Sequence, residues 1–105
     1  MKLPDGKIVF LETGNDRAGL QHILKQHMDD FANQGILAEQ IPDAIMAALG
    51  TGQLIGYQGG GKMPRPIYKV NFHGKLYYIG VTVSDHGFIV GANPISTQQF
   101  KQAHP

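Results

Sequence analysis

Apolar side chains recur with a helical period along the first half of this chain and with a period of two along the second. Between Gly19 and Phe31, a rotation of about 100° per residue sets Leu20, Ile23, Leu24, Met28 and Phe31 on one stripe. The spacing predicts a helix from Ala18 to Asn33. Asn15 and Asp16 offer N-cap oxygens ahead of it, and Gly35, which tolerates the left-handed conformation, ends it. Ile41, Ala44, Ile45, Ala48 and Leu49 repeat in the same way around Pro42, a residue suited to the first helical position. A second helix is therefore predicted, ending at Gly50 or Gly52.

Gln53 to Gln58 alternates as a strand does, and a glycine- and proline-rich loop, Gly59 to Pro66, follows. Ile67 to Phe72 and Lys75 to Val83 are predicted strands joined by His73-Gly74, a connection of the hairpin type. The turn Ser84-Asp85-His86-Gly87 leads to a fourth strand, Phe88 to Ala92, closed by Pro94. Lys7 to Leu11 is a short apolar run read as a strand, and the polar stretch from Ile95 onward is expected to fray. The expected fold is α+β, with two N-terminal helices packed on a four-stranded antiparallel sheet, in one domain spanning 1–105. Alternation turns Tyr68, Val70, Phe72, Tyr77, Ile79, Val81 and Val83 toward the helices. Lys69, Asn71, Tyr78, Thr82 and Ser84 fall on the other face.

Length and composition narrow the chemistry. A chain of 105 residues buries one core. With no cysteine, disulfides, thiolate catalysis and cysteine-ligated zinc are excluded. No apolar run approaches the roughly 18 residues of a membrane span, and no signal-peptide core is evident, so a soluble domain without a membrane partner is expected. The net charge of +1 is unevenly spread. Residues 1–50 carry four cations against seven carboxylates, net −3, while residues 51–105 carry five against Asp85 alone, net +4. The sheet half is the basic half, able to steer a polyanion locally.

The first helix gathers His22, Lys25, His27, Asp29 and Asp30. Two histidines beside a cation point to proton transfer at an anionic substrate. Lying five apart, they are separated by about 140° around the axis, unlike the i, i+4 pair of a helical zinc motif, so neither a metal nor a cofactor is expected. His27 falls within the apolar stripe and His22 on the wet face with Lys25. Lys62 and Arg65 belong to a basic flap beside a cleft, and the Gly59-Gly60-Gly61-Lys62 run lacks the spacing of a P-loop.

Taken in order, Gly19-Leu20-Gln21-His22-Ile23, His27, Asp30 and Phe31, Ile41-Pro42, Ala48-Leu49, Gly56-Tyr57-Gln58-Gly59, Arg65-Pro66-Ile67-Tyr68 and Gly87-Phe88-Ile89-Val90-Gly91-Ala92-Asn93-Pro94 form a pattern. The chain resembles the C-terminal toxin domains of filamentous-haemagglutinin-type and contact-dependent growth inhibition proteins. These belong, with related phage-encoded domains, to the barnase/EndoU/colicin/RelE-like ribonuclease superfamily. The resemblance implies a metal-independent ribonuclease, often acting on tRNA. It would be a secreted or surface-delivered effector acting in the cytoplasm of a competing bacterium, and a cognate immunity protein would neutralise it. His86-Gly87 departs from the asparagine-glycine usual at that turn.

Cleavage of RNA by its own 2′-hydroxyl requires a base, an acid for the 5′-oxygen and donors for the charge that develops on phosphorus. His27 fits the base, with Asp30 tuning it, and His22 is the second candidate. Tyr68 and Thr82 fit as catalytic donors or orienters, and Tyr78 is an alternative. Lys25, Lys62, Arg65 and Lys69 fit as phosphate contacts, and Tyr57 or Phe72 as a base-stacking surface. Two other readings compete: a non-catalytic binding module in a phage or adhesin context, and an enzyme acting on a phosphorylated small molecule.

Overall fold

The computed structural model describes residues 1–59 and 64–103, the side chain of Ala103 excepted. The loop residues 60–63, among them Lys62, lie outside the described residues. The elements are α1 (Leu20–Asn33), a 3₁₀ turn (Ala38–Gln40), α2 (Ile41–Thr51), β1 (Gln53–Gln58), β2 (Arg65–Phe72), β3 (Lys75–Val83), β4 (Ile89–Ile95) and α3 (Thr97–Ala103). The four strands form one antiparallel sheet in the order β1-β2-β3-β4. The fold is thus α+β around such a sheet, but the placement of the helices corrects the expectation. Only α2 packs across the strands, against β2 and β3; α1 runs beside β4, and a third helix follows the sheet. Among the described residues no helix is long and apolar enough to cross a membrane.

Register explains the two faces. Tyr68 pairs with Ile79 and Ile79 with Pro94, while Val81 pairs with Ala92 and Val70 with Tyr77. Opposed residues share a face. This face holds Val70, Phe72, Tyr77, Ile79, Val81, Ile89 and Ala92, which are buried against Ile23, Phe31, Ile41, Ala44, Ile45 and Ala48 of the helices. The core set read from alternation is the observed one, with Tyr68 and Val83 at its margin. Gln58 opposite Arg65, Ile67 opposite Gly80, Gly80 opposite Asn93 and Thr82 opposite Gly91 lie on the other, open face.

The N-terminus of α1 is fixed by backbone rather than by side-chain caps. Leu20 N–H donates to the Glu12 carbonyl at 2.9 Å and Gln21 N–H to that of Thr13 at 2.8 Å, after Gly19 at φ 86°. Asn15, expected as an N-cap, instead accepts from Arg17 and Ala18 N–H at 2.8 and 3.3 Å and folds the preceding turn. Gly19 N–H donates to the Val90 carbonyl at 3.1 Å, which pins the start of α1 to β4.

Three further differences bear on the site. Arg65 and Pro66, read as loop, open β2. Pro94, read as a terminator, lies inside β4, where an edge strand tolerates a missing N–H. The polar tail is α3: Ser96 Oγ accepts from Gln99 N–H, and Gln99 Oε1 accepts from Ser96 N–H, both at 3.0 Å, a reciprocal cap. Phe100 of α3 stacks on Tyr78, ring centroids 5.0 Å apart, so α3 covers part of the open face beside buried Ile67 and Ile95. Lys7 to Leu11 makes single bridges only, Ile8 with Lys2 and Phe10 with Phe88.

Candidate functional site

The open face is organised around Arg65. Its side chain lies over two residues without side chains. A Cβ added at Gly80 would meet Arg65 Cδ at 3.0 Å, and one at Gly91 would meet Nη2 at 2.7 Å. Arg65 Nε donates to Thr82 Oγ1 at 2.8 Å and Nη1 to Asn93 Oδ1 at 2.6 Å. Asn93 is itself oriented, since its Nδ2 donates to Gln58 Oε1 at 3.0 Å and to the Pro94 carbonyl at 3.3 Å. Two neighbouring strands, β3 and β4, therefore bond the guanidinium directly, and β1 supports it through Asn93. Among the described residues no carboxylate lies within 4.0 Å of it. Removal from water pushes Arg65 down from its ordinary value, although a guanidinium stays charged. A half-buried cation without a counter-ion is a demand for an anion, and Nη2 is left to meet it.

Next to this cation stands His22. Its Cδ2 lies 3.7 Å from the same notional Cβ of Gly91 that Nη2 approaches. Its Nδ1 is 2.8 Å from the backbone carbonyl of Asp16. A carbonyl only accepts, so Nδ1 carries the proton and Nε2 of the neutral ring is a bare acceptor. Asp16 is held in turn by Lys25, Nζ to Oδ2 3.1 Å.

His27 lies further along α1, 30% exposed, with Nδ1 2.9 Å from Asp30 Oδ2. It lines a cleft of about 450 Å³ with Asp30, Asn33, Gln58, Asn93 and Gln99. Asn93 and Gln58 thus border both Arg65 and the His27 cleft.

Of the candidates from sequence, His22, Arg65 and Thr82 come together, and His27 opens onto the adjoining cleft. Lys69 is exposed on the open face opposite Tyr78, one turn of the pleat from Ile67. Lys25 is exposed and ion-paired with Asp16, behind His22 rather than in the cluster. Tyr68 sits on the helix-facing side, with Thr82 across the sheet; burial, and Tyr57 nearby, raise its phenol above the ordinary value. Phe72 is core, whereas Tyr57 is exposed on β1. His86 is exposed in the turn before β4, where Gly87 takes φ 92°.

Sequence reasoning assigned no role to Gln58, Gly80, Gly91 or Asn93. The available signal was an amide, Asn93, within an apolar strand, and glycines on the same face of adjacent strands as an arginine. Helix α1 was expected to cover the sheet, which set His27 and Thr82 on opposite sides. Because it lies along the β4 edge instead, its side chains reach round to the open face. Comparison with protein-family models gives no match, and none of the curated proteins matches either.

Proposed function

We propose that the chain is a metal-independent endoribonuclease that cleaves RNA by attack of the 2′-hydroxyl on the adjacent phosphate. The observation that carries this reading is the half-buried guanidinium of Arg65, with no carboxylate within 4.0 Å among the described residues and with His22 Cδ2 3.7 Å from the point above Gly91 that Nη2 approaches. Arg65 Nη2 receives a nonbridging oxygen, where its charge is worth most as the phosphorane forms. The Thr82 hydroxyl accepts from Arg65 and so keeps its own proton to donate to phosphate. His22 Nε2 takes the 2′-hydroxyl proton. His27, oriented by the contact of its Nδ1 with Asp30, delivers a proton to the departing 5′-oxygen. These roles reverse the order expected for the two histidines, because the carbonyl contact assigns the acceptor to His22.

The resemblance to polymorphic toxin domains supports the finer reading: tRNA as substrate, delivery into a competing bacterium and neutralisation by an immunity protein. Incubation with total tRNA in EDTA tests the reaction. Products with 2′,3′-cyclic phosphate and 5′-hydroxyl ends are expected, and a 2′-deoxy substitution at the scissile nucleotide should abolish cutting. Cleavage of that deoxy strand sinks the mechanism. Absence of cleavage, with retained binding of RNA or protein, favours the binding-module reading.

Each histidine should cost about 100-fold or more on replacement by alanine. A substrate with a 5′-thio leaving group, which departs without a proton, should restore His27→Ala but not His22→Ala. Rescue of the His22 variant instead exchanges the roles.

A further inference from the structure

We infer that β1 is a self-pairing edge, through which two copies of this chain join their sheets in an antiparallel, two-fold arrangement. The two ends of the sheet are treated differently. At β4 the edge is occupied: α1 lies along it, Gly19 N–H bonds to Val90, and Phe10 pairs with Phe88. At β1 the only ladder among the described residues is the one to β2, so among those residues the outer row of N–H and carbonyl groups has no strand partner. Exposed edges usually carry charge or proline against association. Gln53-Leu54-Ile55-Gly56-Tyr57-Gln58 has neither; its departure from a flat edge is the bulge between Leu54 and Gly56, and Leu54 and Tyr57 are 48% and 51% exposed.

The occupant is read from the strand itself, which is close to a palindrome in chemical type. Antiparallel pairing centred on the bulge sets Gln53 against Gln58 of the second copy and Leu54 against Tyr57, with the Ile55-Gly56 segments of the two copies facing each other. The faces agree. Leu54 and Tyr57 oppose Tyr68 and Pro66, on the helix-facing side of β2, while Gln53 and Gln58 oppose Lys69 and Arg65 on the open side. Every cross-strand pair therefore meets on one face: leucine on tyrosine below, amide on amide above. With no charge in the strand, no like-charge repulsion arises between the paired residues. A ladder of six residues buries less than the roughly 1,200 Å² of a stable interface, so the association is reversible. This inference is independent of the ribonuclease reading.

Sedimentation of the intact chain between about 1 and 200 µM should show a dimer that grows with concentration. Tyr57→Lys and Leu54→Lys, both at exposed positions, should lower the dimer fraction at least tenfold with unchanged thermal midpoints. Register is read with cysteines, since the chain has none of its own. Leu54→Cys mixed with Tyr57→Cys should form the mixed disulfide. Leu54→Cys alone should not, because Leu54 and Tyr57 lie two ladder steps apart, which offsets its two copies by about 7 Å along the strands and about 5 Å across, beyond disulfide reach. A monomer at every concentration overturns the inference, as do charge variants that dimerise normally or equal cross-linking in single-variant samples. Protection of β1 amides only when another protein is added gives the edge to a foreign strand and also overturns it.

Discussion

Gly91 shows how one missing side chain sets the site. Its φ is not in the left-handed region, so alanine brings no backbone strain, yet the new methyl would stand 2.7 Å from Arg65 Nη2. The far end of an arginine moves easily, and the fold should survive. What moves is the guanidinium, away from His22, and a displacement of about 1 Å can cost about 100-fold in rate. Gly91→Ala is therefore expected to lose at least tenfold in RNA cleavage with its thermal midpoint within a few degrees of native. A variant that melts much earlier would make Gly91 a packing residue. Arg65 itself was legible as a phosphate contact but not as a strand residue, because two neighbouring prolines gave its surroundings the look of loop. Only the pairing of Gln58 with Arg65 shows the strand beginning there.

At the scale of elements, period and alternation were sufficient where one side faces a core. Both helices of the first half and the helix-facing residues of β2 and β3 were read correctly for that reason. The failures fall where apolar period is weak. Thr97–Ala103 looks polar because its only large apolar residue is Phe100, but Ser96 and Gln99 at capping-box spacing were a usable signal. Ser96→Ala should cost about 1 kcal/mol and fray α3. Hydrogen exchange at the Phe100 amide, which bonds to the Ser96 carbonyl at 3.0 Å, would report it. Unchanged protection there would show that the helix is held without the Ser96 cap. Docking geometry was the other failure: hydrophobic period tells which stripe of α1 is buried, not whether the helix crosses the sheet or borders it.

For the whole molecule, charge asymmetry acquires a direction. Arg65 and Lys69 face the open side of the sheet, whereas Lys75 turns away to the Gln34 carbonyl at 3.0 Å and lies 5.2 Å from the Tyr77 ring. If the open face receives RNA, Arg65→Gln and Lys69→Ala should each weaken binding and make its salt dependence shallower, by roughly 0.7 to 0.9 in log-log slope per lost contact. Lys2→Ala and Lys75→Ala should leave the slope as it is. Equal slopes for all four would detach the basic half from RNA. The border between α1 and β4 has a consequence in time as well as in space. Both histidines emerge early in synthesis, but the β4 residues they lie beside, Gly91 for His22 and Asn93 for the His27 cleft, follow several seconds later at about 5–20 residues per second. On the ribonuclease reading proposed above, a nascent chain is inert until its last strand is made. Any binding protein translated alongside it has that interval in which to be waiting when the cleft first closes into shape.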